Sequence, residues 1–219
     1  MPPQGLAKRP AWGLQKGCID MTNGKKVSNV RKMVMTALLA ALSIVLMRLG
    51  LKLPFMPSFI TMDFSELPAL IASFSLGPLS GAAVCLVKNL VNLMFSQTGG
   101  VGELSNFVLG LLFVVPAGLF YQKMGGRKGA LIGSLLGAVL MGIGSIFTNY
   151  YVVYPVYTAF MPMEAIIGAY QAINPQVENL WDCLVWFNCP FTFGKGMCSV
   201  IITFLIYKRI SPLIKGNFR

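Results

Sequence analysis

From residue 33 to residue 207 the sequence runs through a succession of long apolar stretches, each closed by Gly, Pro or a few charges. This constrains the fold more than any other feature of the chain. Hydrophobic residues make up 55% of it and charged residues 11%, where a soluble domain carries about 25% charge. A soluble fold with so little polar surface would not stay monomeric, so lipid is the natural solvent for most of this chain. The expected fold class is an all-α integral membrane protein with six transmembrane helices.

The expected spans cover residues 33–51, 63–76, 78–95, 103–121, 129–154 and 190–207. Arg48 can snorkel at the end of the first. The second has 14 residues, and at 1.5 Å per residue it rises only about 21 Å against a hydrocarbon core of about 30 Å. Pro78 suits the first turn of the third, and Pro155 is expected to stop the fifth. Residues 1–32 read as a basic, flexible cytoplasmic tail, 33–213 as the membrane domain and 214–219 as a short cytoplasmic C-terminal tail. The long connection 155–188 contains one amphipathic stretch, 163–173, expected to lie as a surface helix. Trp181 and Trp186 suit the interfacial belt.

The formal net charge of +11 raises the question of nucleic acid, but its distribution excludes that partner. No aromatic-basic repeat or zinc-finger spacing accompanies it. With the N-terminus inside, seven Lys and Arg lie in the tail, three in the 121–129 loop (Lys123, Arg127, Lys128) and four at the C-terminus, so 14 of 18 are cytoplasmic. That asymmetry places both termini inside. Six of the seven acids, Glu66 among them, then fall outside.

Histidine is absent, which removes the commonest acid-base group and many metal sites. No metal and no cofactor are expected. Cys85 and Cys198 sit in apolar runs as packing residues. Cys183 and Cys189 lie near one membrane face, without the framework pattern of a disulfide scaffold. There is no phosphate-binding GxxxxGK[ST] loop, so any ATP-driven pumping requires a separate ATPase chain.

Several small constellations remain. Gly129, Gly133 and Gly137 share a helix face where another helix can come close. Ala37 and Ala41 share a face of the first span, either for internal packing or for another membrane subunit. Lys88, with Asn89 and Asn92, lies near mid-membrane, where a charge costs about 2.5–3.5 kcal/mol unless it faces protein or a polar cavity. It is either a ligand contact or a polar clasp between helices. Lys195 falls in the outer half, as do Asn149, Tyr150, Asn106 and Glu103, the last also suited to the helix dipole. Together with Phe59, Phe64, Tyr151 and Phe193 they describe an apolar pocket with a few placed polar groups, suited to a small flat ligand. The connection 52–62 is placed to cover it.

The motifs Asp63-Phe64-Ser65-x-x-Pro68, Gly100-Val101-Gly102-Glu103-Leu104-x-Asn106-Phe107, Val115-Pro116-Ala117-Gly118-Leu119-x-Tyr121, Thr148-Asn149-Tyr150-Tyr151 and Tyr207-Lys208-Arg209-x-Ser211-Pro212-Leu213 occur in that order. The combination resembles the riboflavin-specific S components of energy-coupling factor (ECF) transporters, the RibU type, over residues 34–213. The resemblance implies a six-helix S-component bundle in a bacterial cell membrane. It also implies outward-facing capture of riboflavin or its phosphate under a first-loop lid, and coupling to a transmembrane T component and two cytoplasmic ATPases. Asn149 and Lys195 match family flavin contacts. Thr192 stands where Asn is expected, and its hydroxyl still donates and accepts, with shorter reach. Tyr150, Glu103, Asn106 and Phe59 complete the expected site. Ala37 and Ala41 match the family's contact with the T component. The rival readings are an S component for another vitamin such as pantothenate or thiamine, a passive channel, and an intramembrane enzyme. The last lacks histidine and shows no paired acids within a span.

Overall fold

The computed structural model describes residues 29–57, 60–96, 99–159 and 162–215. The described residues form helices joined by short connections and one two-stranded ribbon. In chain order they are α1 (Asn29–Arg48), β1 (Leu51–Lys52), β2 (Thr61–Met62), α2 (Glu66–Leu76), α3 (Pro78–Leu93), α4 (Val101–Met124), α5 (Gly126–Thr148), a π turn (Asn149–Val153), α6 (Tyr154–Tyr157), α7 (Met163–Gln171), α8 (Leu180–Cys183), a second π turn (Leu184–Asn188) and α9 (Cys189–Lys215). Among the described residues, four helical stretches are long and apolar enough to cross a membrane: Asn29–Arg48, Val101–Met124, Gly126–Tyr157 and Leu180–Ile206.

The short α2 is the centre of the molecule. Ten of its 11 residues are buried, and it packs on α1, α3, α4 and α9. A helix that is apolar all round belongs in an interior. At about 16 Å it is too short to span lipid alone, and its protein neighbours surround it instead. Outward faces carry large apolar side chains such as Leu38, Leu42, Leu135, Phe147 and Leu205, all exposed. That is the surface of a protein dissolved in lipid.

The glycine face of α5 is an internal seam. Gly133 lies where a Cβ would come within 2.8 Å of the Ala117 carbonyl, and a Cβ on Gly137 would collide with the Phe113 carbonyl. These glycines let α5 lie directly on α4.

Two prolines expected to bound helices lie within continuous helical stretches. Pro155 follows the first π turn and Pro190 the second, each two residues past its end. Proline has no N–H and its ring clashes with the carbonyl four residues back. The π turn bonds i to i−5, as the Tyr154 N–H does to the Asn149 carbonyl and the Cys189 N–H to the Leu184 carbonyl. The wider turn lets the helix run on past the proline. The fifth helical stretch therefore ends at Tyr157 rather than Pro155, and Trp181 and Trp186 are helical.

The surface helix expected in 163–173 is α7. Its Ile166 and Tyr170 are buried in a second cluster with Tyr154, Val177, Cys183 and Leu184. The ribbon pairs Leu51 with Met62 and Lys52 with Thr61, antiparallel, closing the α1–α2 connection. Arg48 is exposed at the end of α1. Its guanidinium lies 4.0 Å over the Phe95 ring, joining the ends of α1 and α3. Cys85, Cys183, Cys189 and Cys198 are all free thiols.

Candidate functional site

Both lysines within the apolar runs are buried and paired. Lys88 on α3 has its Nζ 2.6 Å from the Glu66 carboxylate, with neither side chain exposed. It also donates to the Ser65 hydroxyl at 2.7 Å. Lys195 on α9 has its Nζ 2.7 Å from Asp63 Oδ2, with side chains 8% and 7% exposed. The two pairs are joined through the turn that starts α2. The Ser65 N–H donates to Asp63 Oδ1 at 2.9 Å, and Ser43 on α1 donates to the Ser65 carbonyl at 2.5 Å. Residues 63–66 thus tie α1, α2, α3 and α9 together.

Of the two readings of Lys88, the geometry is that of the clasp. Its partner Glu66, expected on the outer face, is fully buried. Asp63, Ser65 and Glu66 were not among the expected site residues. The signal for them was present, since an intramembrane lysine needs a counter-charge, and two carboxylates open the neighbouring short span.

The other expected residues fall into two groups. Glu103 and Asn106 are engaged by α3. Asn92 donates to Glu103 at 3.0 Å, Ser96 donates to it at 2.8 Å, and Asn106 donates to Asn89 at 3.2 Å. Ser96 also accepts from the Gly100 N–H, so this cluster fastens the α3–α4 turn. Gly100, at φ 89°, supplies the left-handed residue that begins α4.

Asn149 and Tyr150 lie in the π turn that follows α5, and Thr192 and Lys195 on α9, which packs on α5. Asn149 opens the first π turn and is half-buried, and Thr192 is 9% exposed. Neither side chain hydrogen-bonds another described residue, so both keep donor and acceptor capacity. Thr192 and Lys195 are three apart and share a face of α9. α5 and α9 touch where Gly142 meets Phe193 and Cys189, two turns below Asn149. Tyr150 packs edge-on against Tyr151 and Trp181, at ring separations of 5.0 and 5.9 Å. Phe59 lies outside the described residues.

Behind this face, Tyr154, Tyr170 and Asn188 form a closed ring of hydrogen bonds. The tyrosine hydroxyls are 2.5 Å apart, the Tyr170 hydroxyl donates to Asn188 Oδ1 at 2.7 Å, and Asn188 Nδ2 donates to the Tyr154 hydroxyl at 3.2 Å. The ring links α6, α7 and the second π turn. Burial pushes the Tyr170 hydroxyl far above the ordinary phenol range, so it remains a donor.

Ala37 and Ala41 are exposed on α1. With Ala40 they line an open groove of about 640 Å³, whose other wall is Leu79, Ser80, Ala83 and Val87 of α3.

A family model described as "ECF transporter, substrate-specific component" matches residues 31–207. The chain belongs to this family. This S component is 31% identical over 196 residues to the riboflavin transporter RibU of Staphylococcus aureus (strain TCH60), an alignment covering 88% of this chain and 98% of that protein. It is 32% identical over 189 residues to the riboflavin transporter FmnP of Bacillus subtilis (strain 168), covering 85% and 95%. A solved structure of the S component of a bacterial ECF transporter superposes with a TM-score of 0.68 at 29% identity, over 86% of this chain and 99% of that one. The family and these relatives are transporter components, not enzymes.

Proposed function

We propose that this S component captures riboflavin from outside the cell and delivers it for uptake driven by two cytoplasmic ATPases through a transmembrane T component. The observation that carries the reading is the end-to-end likeness to two riboflavin transporters, together with a site whose groups suit the vitamin. Riboflavin has a flat apolar ring system, an uncharged hydrogen-bonding edge and a polyol tail. Lys195, Thr192 and Asn149 meet its polar atoms, while Tyr150 and Phe193 lie against the ring. Glu103 and Asn106 fix the wall beside it. Riboflavin phosphate differs only at the tail and is the second ligand to test.

In this reading α2 and α3 are the remaining two of six crossings, both termini face the cytoplasm, and the protein is a multi-pass component of a bacterial cell membrane. Residues 1–32 and 214–219 are cytoplasmic tails on the 33–213 membrane domain. The Ala37–Ala41 groove receives the T component. The primary test is a titration of the purified protein with riboflavin. Saturable, equimolar quenching of flavin fluorescence is expected. Tight binding of pantothenate or thiamine with no response to riboflavin would overturn the assignment.

A further inference from the structure

We propose that Asp63 sets the charge selectivity of the ligand site: by neutralising Lys195 it reserves that position for an uncharged hydrogen-bonding group and closes it to carboxylates and phosphates. The proposal rests on Lys195 as a ligand contact. A buried ammonium without a counter-charge is costly and attracts any small anion that can reach it. Here the counter-charge is built in. Asp63 Oδ2 lies 2.7 Å from Lys195 Nζ, and Oδ1 is held by the Ser65 N–H. An ammonium has three donors, so with one on Asp63 two remain for the ligand.

The surroundings add no net charge. α9 packs on α2, α5 and the second π turn. α5 has no titratable side chain from Gly129 to Thr148, and the π turn has none. The Glu66 carboxylate of α2 is taken by Lys88, with the Cys85 thiol 3.8 Å from it. On α9 itself Cys198 is the nearest titratable group in sequence. Around the start of α2, two ammonium groups therefore face two carboxylates. A ligand carboxylate placed at Lys195 would meet Asp63 as a like charge, whereas the carbonyls and ring nitrogens of a neutral heterocycle would not.

The experiment compares wild type, Asp63→Asn, Lys195→Met and the double variant in detergent. Thermal unfolding and riboflavin affinity are measured while formate replaces gluconate at fixed ionic strength. In Asp63→Asn, formate should raise Tm by several degrees and lower apparent riboflavin affinity in proportion to its concentration, about tenfold at the highest concentration and without a plateau, as competition for one cation requires. Wild type and the double variant should respond to neither. A folded Asp63→Asn protein as indifferent to formate as wild type would overturn the proposal. Lys195→Met gives the mirror image if Asp63→Asn does not fold: its lone carboxylate should make Tm rise when ammonium replaces choline, and a flat response there also overturns it. The melts need no ligand, so absence of riboflavin binding by wild type would refute the assigned vitamin while leaving the charge pairing separately tested.

Discussion

Lys195 serves two ends, pairing with Asp63 and offering its remaining donors to the proposed ligand. Lys195→Ala should remove a charge-assisted hydrogen bond of about 1.5–3 kcal/mol and weaken riboflavin binding about ten- to a hundredfold. Asn149→Ala should cost less, about 1 kcal/mol for a neutral bond, or roughly fivefold. Lys88→Met provides the contrast. It strands Glu66 as an uncompensated buried charge, which costs about 3–5 kcal/mol in comparable cases, so the loss should appear in Tm and yield rather than in flavin affinity. Adding Glu66→Leu should recover much of that stability. Unchanged affinity at Lys195 and Asn149 with a large loss in folded Lys88→Met would move the site deeper.

At the scale of elements, the two π turns and the tyrosine ring decide how the ends of α5 and α9 are presented. Each turn carries its helix past a proline, and the ring clamps the segments just beyond Asn149 and just before Thr192. Tyr170→Phe removes the hydroxyl shared by the other two members, leaving buried polar groups unsatisfied at a cost of about 1–3 kcal/mol. The expected outcome is a lower Tm and faster amide exchange in α6 and α7, with Asn149 less well held. On the opposite seam, Gly137→Val drives a side chain into the Phe113 carbonyl. Overpacking of this kind costs about 1–3 kcal/mol or more and should separate α4 from α5, read as loss of monodisperse protein.

The whole molecule divides its labours between two regions. Among the described residues, the proposed contacts Asn149, Tyr150, Thr192 and Lys195 lie in the first π turn and on α9, while the open Ala37–Ala41 groove lies between α1 and α3. Replacing both alanines with Leu should fill the groove and block close approach of a second membrane protein. Riboflavin uptake by cells should fall while binding by the isolated double variant persists. Normal uptake at normal expression would remove the groove from the transport pathway. The buried α2 connects the two regions, since it touches α1, α3 and α9.

Much of this architecture is legible in the sequence, because hydrophobicity is a local property. The first five apolar runs mark their own helices to within a few residues while the sixth starts ten residues before its expected bound, at Leu180; the 129–133–137 spacing marks a close packing seam, and Lys88 and Lys195 stand out as charges that need an explanation. The partners of those charges were a different matter. Glu66 is 22 residues from Lys88 and Asp63 is 132 residues from Lys195, and no periodicity connects them. Which carboxylate meets which ammonium depends on how α2 is set among α1, α3, α4 and α9. The same holds for Glu103 and Asn106, whose hydrogen-bond partners lie on α3 and in the turn after it, and for Pro155 and Pro190, which read as helix ends until a π turn supplies the room to continue. A sequence records the cost of burying a charge or a proline in a helix, but only helices packed together determine which neighbour relieves it.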